Sequence, residues 1–182
     1  KNTDLEAFEK IFAPYFDLSR NYSKILTSFD DKYIRLACKK YYGIRILKQD
    51  EWEALCSFII SQNNNIPRIC KIIERLCASF GEPLGNGDYT FPSYEVLASL
   101  SENDLAALRA GFRAKYILDA AKKLSGGEVS LKKIRALPLE DARNELMKIK
   151  GVGKKVSECA LLYGFGRAEA FPVDVWVKRI MQ

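Results

Sequence analysis

"LMKIKGVGKKVSECALLYGF", residues 146–165, is the stretch of this sequence that decides the expected fold. Two runs with helical periodicity meet at Gly-Val-Gly, residues 151–153, and the second run starts with two adjacent lysines. The glycines permit backbone conformations that other residues avoid, and they let a foreign backbone approach closely. A helix that begins here also presents unpaired N–H groups and the positive end of its dipole, which suits a phosphate. The stretch therefore predicts two helices joined by a hairpin that binds a phosphodiester.

The lysines around the hairpin strengthen this expectation. Lys148, Lys150, Lys154 and Lys155 add attraction to a nucleic acid backbone that does not depend on base sequence. In the whole chain 29 Lys and Arg outnumber 23 Asp and Glu, and the net charge of +6 favours an anionic partner. Taken alone, an ordinary turn between two helices, with the lysines in solvent, explains the same residues.

The rest of the chain predicts an all-α protein. Apolar residues recur at spacings of three and four in most segments, and glycine or proline separates the segments. Asp50, Ser93 and Ser101 are expected to cap helices. Only "YGIRILKQD", residues 42–50, suggests a strand, and residues 83–93 form the one long loop. We expect one compact unit with two lobes.

Composition excludes several classes of protein. The chain is 48% hydrophobic and 29% charged, as in a globular protein, and no run approaches the ~20 apolar residues of a membrane helix. The first eight residues lack the features of a secretory signal, so an intracellular protein is expected. Because there is no histidine, catalysis must rely on Lys, Asp, Glu, Tyr or Cys. The five cysteines form no CxxC pair, which favours buried thiols over an iron–sulfur cluster.

Further stretches accompany the hairpin in a characteristic order. "SQNNNIPRI" (61–69), "GFRAKY" (111–116), "KGVGKKVSEC" (150–159) and "PVDVW" (172–176) resemble the signature stretches of the 8-oxoguanine DNA glycosylases, within the helix-hairpin-helix DNA glycosylase superfamily. The resemblance runs from the first helix to the last residue, and it implies an all-α fold with two helical lobes around a cleft. The family's N-terminal β domain and its last helices have no counterpart in residues 1–182, so we expect a fragment of a longer chain. Trp176 stands where relatives often have histidine.

The resemblance makes Lys155 the catalytic nucleophile of a bifunctional glycosylase and abasic-site lyase. An amine that displaces the base forms a Schiff base with the sugar, from which the 3′ phosphate is eliminated. The amine must first lose its proton. We expect the ammonium form to be disfavoured by adjacent Lys154, by the start of a helix, and by apolar Val156 and Ala160 alongside. The alternative is a solvated helical lysine.

Asp174 follows Lys155 along the chain, within the apolar stretch "FPVDVWV". This setting predicts a partly buried carboxylate, which needs a hydrogen-bonding or charged partner or has a catalytic function. By resemblance Asp174 stabilises the positive charge that builds up on the sugar as the base leaves. Pro172 suits the first turn of a helix, so Asp174 is also expected at a helix N-terminus, where a carboxylate is favoured. The two roles do not exclude each other.

A damaged base must be flipped out of the duplex before it can be removed, and the gap that it leaves must be filled. By resemblance Asn63, Arg68 and Arg113 bind the orphaned cytosine, and Phe112 is an aromatic wedge. Arginine and amide groups match the hydrogen-bonding edge of cytosine, which predicts excision opposite cytosine. The alternatives are a polar loop at residues 63–65 and an exposed helical charge at Arg113.

The resemblance also assigns roles to the remaining residues of the hairpin and its second helix. Cys159 lines the base pocket, although a cysteine alone would more simply fill the core. The phosphate-binding residues are Lys150, Gly151, Gly153 and Lys154. A structural monovalent cation, K⁺ or Na⁺, is held by the backbone carbonyls of Met147, Ile149 and Val152, and no other cofactor is required.

These residues predict a monomeric enzyme of base excision repair that removes 8-oxoguanine from duplex DNA. It is expected in the nucleus of a eukaryote or in the cytoplasm of a bacterium. Four rival hypotheses stay open. They are a glycosylase for another oxidised base, a minimal 8-oxoguanine enzyme without the β domain, a hairpin module that binds DNA without catalysis, and a helical protein-interaction module. The positive charge and the paired glycines argue against the last.

Overall fold

The computed structural model describes residues 4–182, and their regular structure is helical. The chain divides into two compact units, Lys1–Gln49 and Asp50–Gln182. The prediction of an all-α protein is confirmed: within residues 4–182 there is no strand, and an isolated antiparallel bridge joins Pro83 and Tyr89. Nowhere in this range is a helix both long enough and apolar enough to cross a bilayer.

The first unit is built from short helices. Each capped helix starts at a polar side chain that accepts backbone N–H groups: Asp4, Asn21 and Asp31. The elements are α1 (Leu5–Ala7), a π-helical turn (Phe8–Phe12), α2 (Ala13–Tyr15), α3 (Tyr22–Thr27) and α4 (Lys32–Lys40).

The predicted strand at residues 42–50 is wrong. These residues have no regular structure before the next helix begins, because no partner strand lies within residues 4–182. Single contacts with the helical part of the first unit hold the stretch instead. The Lys48 N–H donates to the carbonyl of Tyr15 at 2.9 Å, and the Arg45 guanidinium lies 4.5 Å from the ring centroid of Tyr22.

The second unit holds the hairpin and every residue of the predicted site. Its helices are α5 (Glu51–Ser61), α6 (Ile66–Phe80), α7 (Tyr94–Ala98), a 3₁₀ turn (Ala106–Leu108), α8 (Arg113–Ser125), α9 (Leu131–Ala136), α10 (Leu139–Met147), α11 (Lys154–Tyr163) and α12 (Val175–Ile180). Residues 83–93 lie in a loop between α6 and α7, as predicted.

Two of the three expected helix caps of this unit are confirmed. Asp50 accepts the N–H groups of the first turn of α5, and the hydroxyl of Ser93 accepts one at the start of α7. The expectation for Ser101 is wrong, because its N–H and hydroxyl both donate to the carboxylate of Asp104 at 2.8 and 2.7 Å. These bonds close a turn rather than begin an α-helix.

The core of the second unit fixes helix α11. This helix packs against α5 and α10, and its residues Ala160 and Leu161 are fully buried. At its end Gly164 allows close approach to α5, since a Cβ there would lie 3.0 Å from the Cα of Glu51. A helix held on two sides is a rigid base for side chains at its N-terminus.

The five cysteines are all free thiols, but the expectation that they are buried holds only for some. Cys56 and Cys159 are buried, whereas Cys38 and Cys77 are half-buried and Cys70 is exposed. Helical periodicity places an apolar residue on a face without showing how completely that face is covered.

Candidate active site

The hairpin predicted from residues 146–165 is confirmed. Helix α10 ends at Met147 and α11 begins at Lys154. Between them, the N–H of Val152 donates to the carbonyl of Ile149 at 3.0 Å. The side chains of Ile149 and Val152 are only 1% and 5% exposed, so the turn is anchored in the core. Lys150 and Lys154 stand exposed on its outer side.

The two glycines of the hairpin meet different requirements. Gly151 has φ +81°, and a Cβ there would lie 2.4 Å from the ring of Tyr116. Gly153 has an extended backbone, and no atom of the described residues lies within 4 Å of an added Cβ. It also begins α11 without a side-chain cap, so the first N–H groups of the helix lack a side-chain acceptor. Gly151 serves internal packing, whereas Gly153 leaves the helix N-terminus open to an external anion.

Helix α8, which is not part of the hairpin motif, holds the hairpin through two side chains. The backbone N–H of Lys150 donates to the carboxylate of Asp119 at 2.7 Å. The ammonium of Lys123 donates to the carbonyl of Lys148 at 2.6 Å and lies 3.5 Å from the same carboxylate of Asp119. Sequence reasoning missed this pair, because a Lys four residues after an Asp is common on solvated helix faces.

Lys155 is the second residue of α11. The expected helix start and the neighbouring Lys154 are therefore confirmed. The expected desolvation is wrong, because Lys155 is exposed while Val156 and Ala160 are buried in the core. Apolar neighbours in sequence lie on a different side of the helix from this side chain.

An aromatic ring lies beside the amine of Lys155. Its Nζ is 5.4 Å from the ring centroid of Phe58, and this ring stacks on Tyr163 with centroids 5.4 Å apart. Phe58 comes from α5 and Tyr163 from the end of α11. Neither was predicted from sequence, since an aromatic residue in a helical run normally indicates core packing.

The thiol of Cys159 is influenced by both Lys155 and Asp174. Burial raises the pKa of the Cys159 thiol, the positive charge of Lys155 opposes this shift, and the negative charge of Asp174 adds to it. Both charged side chains therefore act on the same thiol. The expectation that Lys155 and Cys159 share a helix face is confirmed. Cys159 itself is 4% exposed.

Asp174 caps the last helix. One carboxylate oxygen, Oδ1, accepts the N–H groups of Trp176 and Val177, both at 2.9 Å. The other oxygen accepts no hydrogen bond from residues 4–182 in the structure. Helix α12 begins at Val175, so Pro172 lies before the helix and not in its first turn as expected. The capping bonds orient the carboxylate and leave one oxygen for another partner.

Arg113 is buried, with 2% of its surface exposed. Its guanidinium donates to the carbonyls of Gln62, Asn63 and Ala110 at 2.8, 2.6 and 3.1 Å. Burial lowers the pKa of Arg113, and the nearby charge of Arg68 lowers it further. The alternative of an exposed helical charge is therefore wrong. Contact between Arg113 and an orphaned base stays a prediction.

The side chains of Asn64 and Asn65 bond to the backbone of nearby helices, whereas, within residues 4–182, that of Asn63 does not. Asn64 donates to the carbonyl of Ile60 at the end of α5, and Asn65 caps α6. The polar-loop interpretation is confirmed for these two. Asn63 has φ +46°, is exposed, and makes no side-chain hydrogen bond to another residue within 4–182. Its amide is therefore available to a ligand.

Arg68 and Phe112 lie beside Asn63 and Arg113. Arg68 is exposed and donates to the carbonyl of Arg109 at 3.1 Å. Phe112 is 45% exposed, and its ring centroid lies 4.5 Å from the guanidinium carbon of Arg113. The structure thus joins two stretches that are far apart in sequence. Their roles toward DNA stay predictions.

The carbonyls of Met147, Ile149 and Val152 suit the cation that the resemblance implies. Ile149 accepts one hydrogen bond, and the carbonyls of Met147 and Val152 accept none from backbone N–H groups of residues 4–182. Neutral carbonyl oxygens are the donors that hard cations prefer. These residues are compatible with K⁺ or Na⁺.

Comparison with known families divides the chain near the start of α5. Residues 56–182 match the model of the HhH-GPD superfamily base excision DNA repair proteins. Residues 1–55 match the model of the 8-oxoguanine DNA glycosylase N-terminal domain.

Individual relatives agree with these matches. A probable N-glycosylase/DNA lyase of Methanothermobacter thermautotrophicus is 35% identical over 97% of this chain and 62% of its own length. The structure of MBOgg1 with a low-affinity DNA ligand is 49% identical, with a TM-score of 0.91 over 100% of this chain and 64% of that chain. The Clostridium acetobutylicum 8-oxoguanine glycosylase/lyase, bound to duplex DNA with cytosine opposite 8-oxoguanine, is 39% identical, with a TM-score of 0.90 over 99% and 63%.

The chain thus spans 62–64% of the length of these relatives. The superfamily model alone covers well over half of the chain and includes the hairpin, Lys155 and Asp174. The chain belongs to the HhH-GPD superfamily of base excision DNA repair proteins.

Proposed function

We propose that this protein is a bifunctional DNA glycosylase and abasic-site lyase that excises 8-oxoguanine from duplex DNA in base excision repair. The observation that carries the proposal is that Lys155 at the start of α11 and Asp174 at the cap of α12 both act on the thiol of Cys159. An amine and a carboxylate that act on one group match the needs of Schiff-base chemistry at a sugar. The family membership and the named relatives support the same reaction.

The chemistry starts with the unprotonated amine of Lys155. Its nitrogen bonds to C1′ of the flipped nucleotide as the C1′–N bond to the base breaks, and the base leaves with the bonding electrons. Loss of a proton and opening of the sugar ring give an imine. Removal of a proton from C2′ then breaks the C3′–O bond, and the 3′ phosphate departs. No oxidant or further cofactor is needed for this sequence.

Asp174 stabilises the first step. Positive charge develops on the sugar as the base departs, and a fixed carboxylate stabilises that charge best when it needs no reorganisation. The two capping bonds to Trp176 and Val177 fix the carboxylate in advance. Its second oxygen is the one that faces the reacting sugar in this proposal.

The hairpin holds the DNA backbone next to this site. The open N-terminus of α11 and the ammonium groups of Lys150 and Lys154 provide donors and positive charge for a phosphate. The carbonyls of Met147, Ile149 and Val152 would hold K⁺ or Na⁺, which would add a further positive charge. The protein acts as a monomer on genomic DNA, in the nucleus or the bacterial cytoplasm.

The orphaned base is held by the exposed polar groups around Asn63. The amide of Asn63 and the guanidinium of Arg68 face solvent and match the edge of cytosine. Phe112 is exposed enough to enter the gap in the base stack. The Clostridium enzyme bound to cytosine opposite 8-oxoguanine supports this preference.

Borohydride reduction in the presence of lesion-containing duplex tests the proposal. The full-length protein should form a covalent adduct with 8-oxoguanine opposite cytosine, and Lys155→Gln should abolish it. Lys132→Gln is the control, because it removes an exposed helical lysine outside the hairpin and should keep the adduct. Salt-sensitive DNA binding without any adduct would instead support a non-catalytic module. An adduct formed faster with another oxidised base would reassign the substrate.

A further inference from the structure

Helix α11 carries a buried carboxylate one turn after Lys155. Glu158 is 3% exposed, and the chemistry described above does not use it. A carboxylate at this depth requires partners for both of its oxygens. These partners connect Glu158 to two other parts of the second unit.

The two oxygens of Glu158 have different partners. Oε1 accepts from the guanidinium of Arg143 on α10 at 2.5 Å. Oε2 accepts the backbone N–H of Phe171 at 2.8 Å. The ring of Phe171 is 68% exposed, so the backbone bond and not the side chain anchors the chain here. Phe171 lies three residues before Asp174.

Within residues 4–182, this is the last hydrogen bond of the connection before Asp174. Earlier in the connection from α11 to α12, Arg167 donates to the carbonyl of Leu137 at 2.9 Å, and Ala170 is buried. Pro172 has no N–H to donate. The hydrogen bond of Phe171 therefore helps to fix the position of Asp174, which caps α12.

We propose that Glu158 is a positioning residue for catalysis. Helix α11 carries Lys155 at its start, and through Glu158 it also holds the segment that leads to Asp174. One helix thereby sets the separation between the amine and the carboxylate. This inference rests on the proposed function, because it concerns the geometry of the same two reacting groups.

The charge of Glu158 is part of this role. A hydrogen bond to a charged acceptor is shorter and stronger than one to an amide. Arg143 also pairs with Glu140, so the guanidinium is held on two sides and keeps the carboxylate in place. Replacing a whole buried ion pair by apolar residues is often neutral for stability, whereas removing one partner is destabilising. A role in geometry accounts for the pair better than a role in folding.

Glu158→Gln in the full-length protein tests the inference. We expect the single-turnover rate of base excision to fall about 10- to 100-fold, as a shift of about 1 Å between reacting groups does. The Kd for duplex DNA with an uncleavable abasic analogue should stay within about threefold, because the hairpin is unchanged. If Glu158→Gln does not fold, Glu158→Asp keeps the charge for Arg143 but shortens the reach to Phe171, and it should lower the rate similarly.

Glu51→Gln is the control for loss of charge from a buried carboxylate that pairs with an arginine. Glu51 is 8% exposed and bonds to Arg135 through both oxygens, without a hydrogen bond to the segment before Asp174. Because the side chain of Arg135 is exposed, the variant should lower the melting temperature less than Glu158→Gln does, and it should leave the excision rate unchanged. Equal rate losses in both variants would show that Glu158 is merely structural.

A double-mutant cycle with Asp174→Asn supplies the specific readout. If Glu158 acts through Asp174, Glu158→Gln should cause little further rate loss once Asp174 has been changed. The same loss in both backgrounds would overturn the inference. A wild-type protein that forms no borohydride adduct would instead overturn the proposed function, so the two failures are distinguishable.

Discussion

The hairpin and the loop region around Arg113 both contain signature residues, but the lysines of the hairpin are exposed, whereas Arg113 is buried. In the hairpin, Lys150 and Lys154 are exposed and Gly153 faces open space, as expected for residues that meet a ligand. Around Arg113 the guanidinium is buried and bonds to three backbone carbonyls. Its neighbours Asn63, Arg68 and Phe112 are exposed.

The difference shows that a signature residue can build a surface without forming part of it. Arg113 bonds to the carbonyl of Asn63, which has φ +46°, a conformation that few residues other than glycine adopt. The arginine stabilises this turn in the absence of DNA. A motif match alone therefore does not separate a residue that touches DNA from one that shapes the loop beneath it.

Removal of Arg113 should have the largest effect on stability. Arg113→Ala leaves three carbonyls without a donor and opens a cavity, so the free energy of unfolding should fall by about 3 kcal/mol. Urea denaturation measures the loss. Arg68→Ala is the control, because its exposed guanidinium makes one bond and its loss should cost about 0.5 kcal/mol. Equal costs for both variants would remove the distinction between the two arginines.

Alanine at the two hairpin glycines should separate packing from DNA contact. Gly151→Ala should lower the free energy of unfolding by about 2 kcal/mol, because of its positive φ and the contact with Tyr116. Gly153→Ala should cost only about 0.5 kcal/mol and should weaken DNA binding instead. Thermal unfolding and fluorescence anisotropy measure the two quantities. Similar destabilisation by both changes would contradict the assignment of different roles.

The hairpin lysines should alter binding without altering stability. Lys150→Gln and Lys154→Gln should each reduce the slope of log K against log salt by about 1, because each removes one phosphate contact. Titrations of duplex DNA at several salt concentrations give the slope. Lys132→Gln, on the exposed part of α9, is the control and should leave the slope unchanged. An unchanged slope in both hairpin variants would mean that the phosphate lies elsewhere.

The smallest expected effect concerns the thiol of Cys159. Because the pKa of this thiol is raised above that of an ordinary cysteine, the thiol stays protonated at neutral pH. Thiolate forms only in more alkaline solution than an ordinary cysteine requires. Lys155→Gln should raise this pKa further, and Asp174→Asn should lower it, because the two charges act in opposite directions. NMR titration of ¹³C-labelled cysteine measures both shifts. A pKa unmoved by either change would place these charges away from the sulfur.

The sequence predicted those parts of the fold that depend on neighbours in the chain. Helical periodicity and the Gly-Val-Gly break defined α10, α11 and the turn between them, because both signals are local. The strand expected at residues 42–50 failed for the opposite reason. A strand depends on a partner elsewhere, and its own residues carry no information about whether a partner exists.

For the site, the sequence likewise predicted only the residues that belong to a motif. Lys155 and Asp174 were identified by motif, whereas their supports Asp119, Phe58 and Glu158 were not. These supports act through contacts with other segments of the chain, and each is an ordinary residue in its own segment. The exposure of Lys155 was also missed, because its apolar neighbours in sequence face the core.

The most direct test of the central claim compares two substrates in the Asp174→Asn variant. Base departure is needed for borohydride trapping from an 8-oxoguanine duplex, but not from a duplex with a preformed abasic site. If the carboxylate stabilises the positive charge on the sugar as the base departs, and Lys155 is the nucleophile, trapping from the lesion duplex should slow at least about 10-fold more than trapping from the abasic duplex. The adduct should map to Lys155 in both cases. Equal slowing on the two substrates, or an adduct on another lysine, would contradict the account.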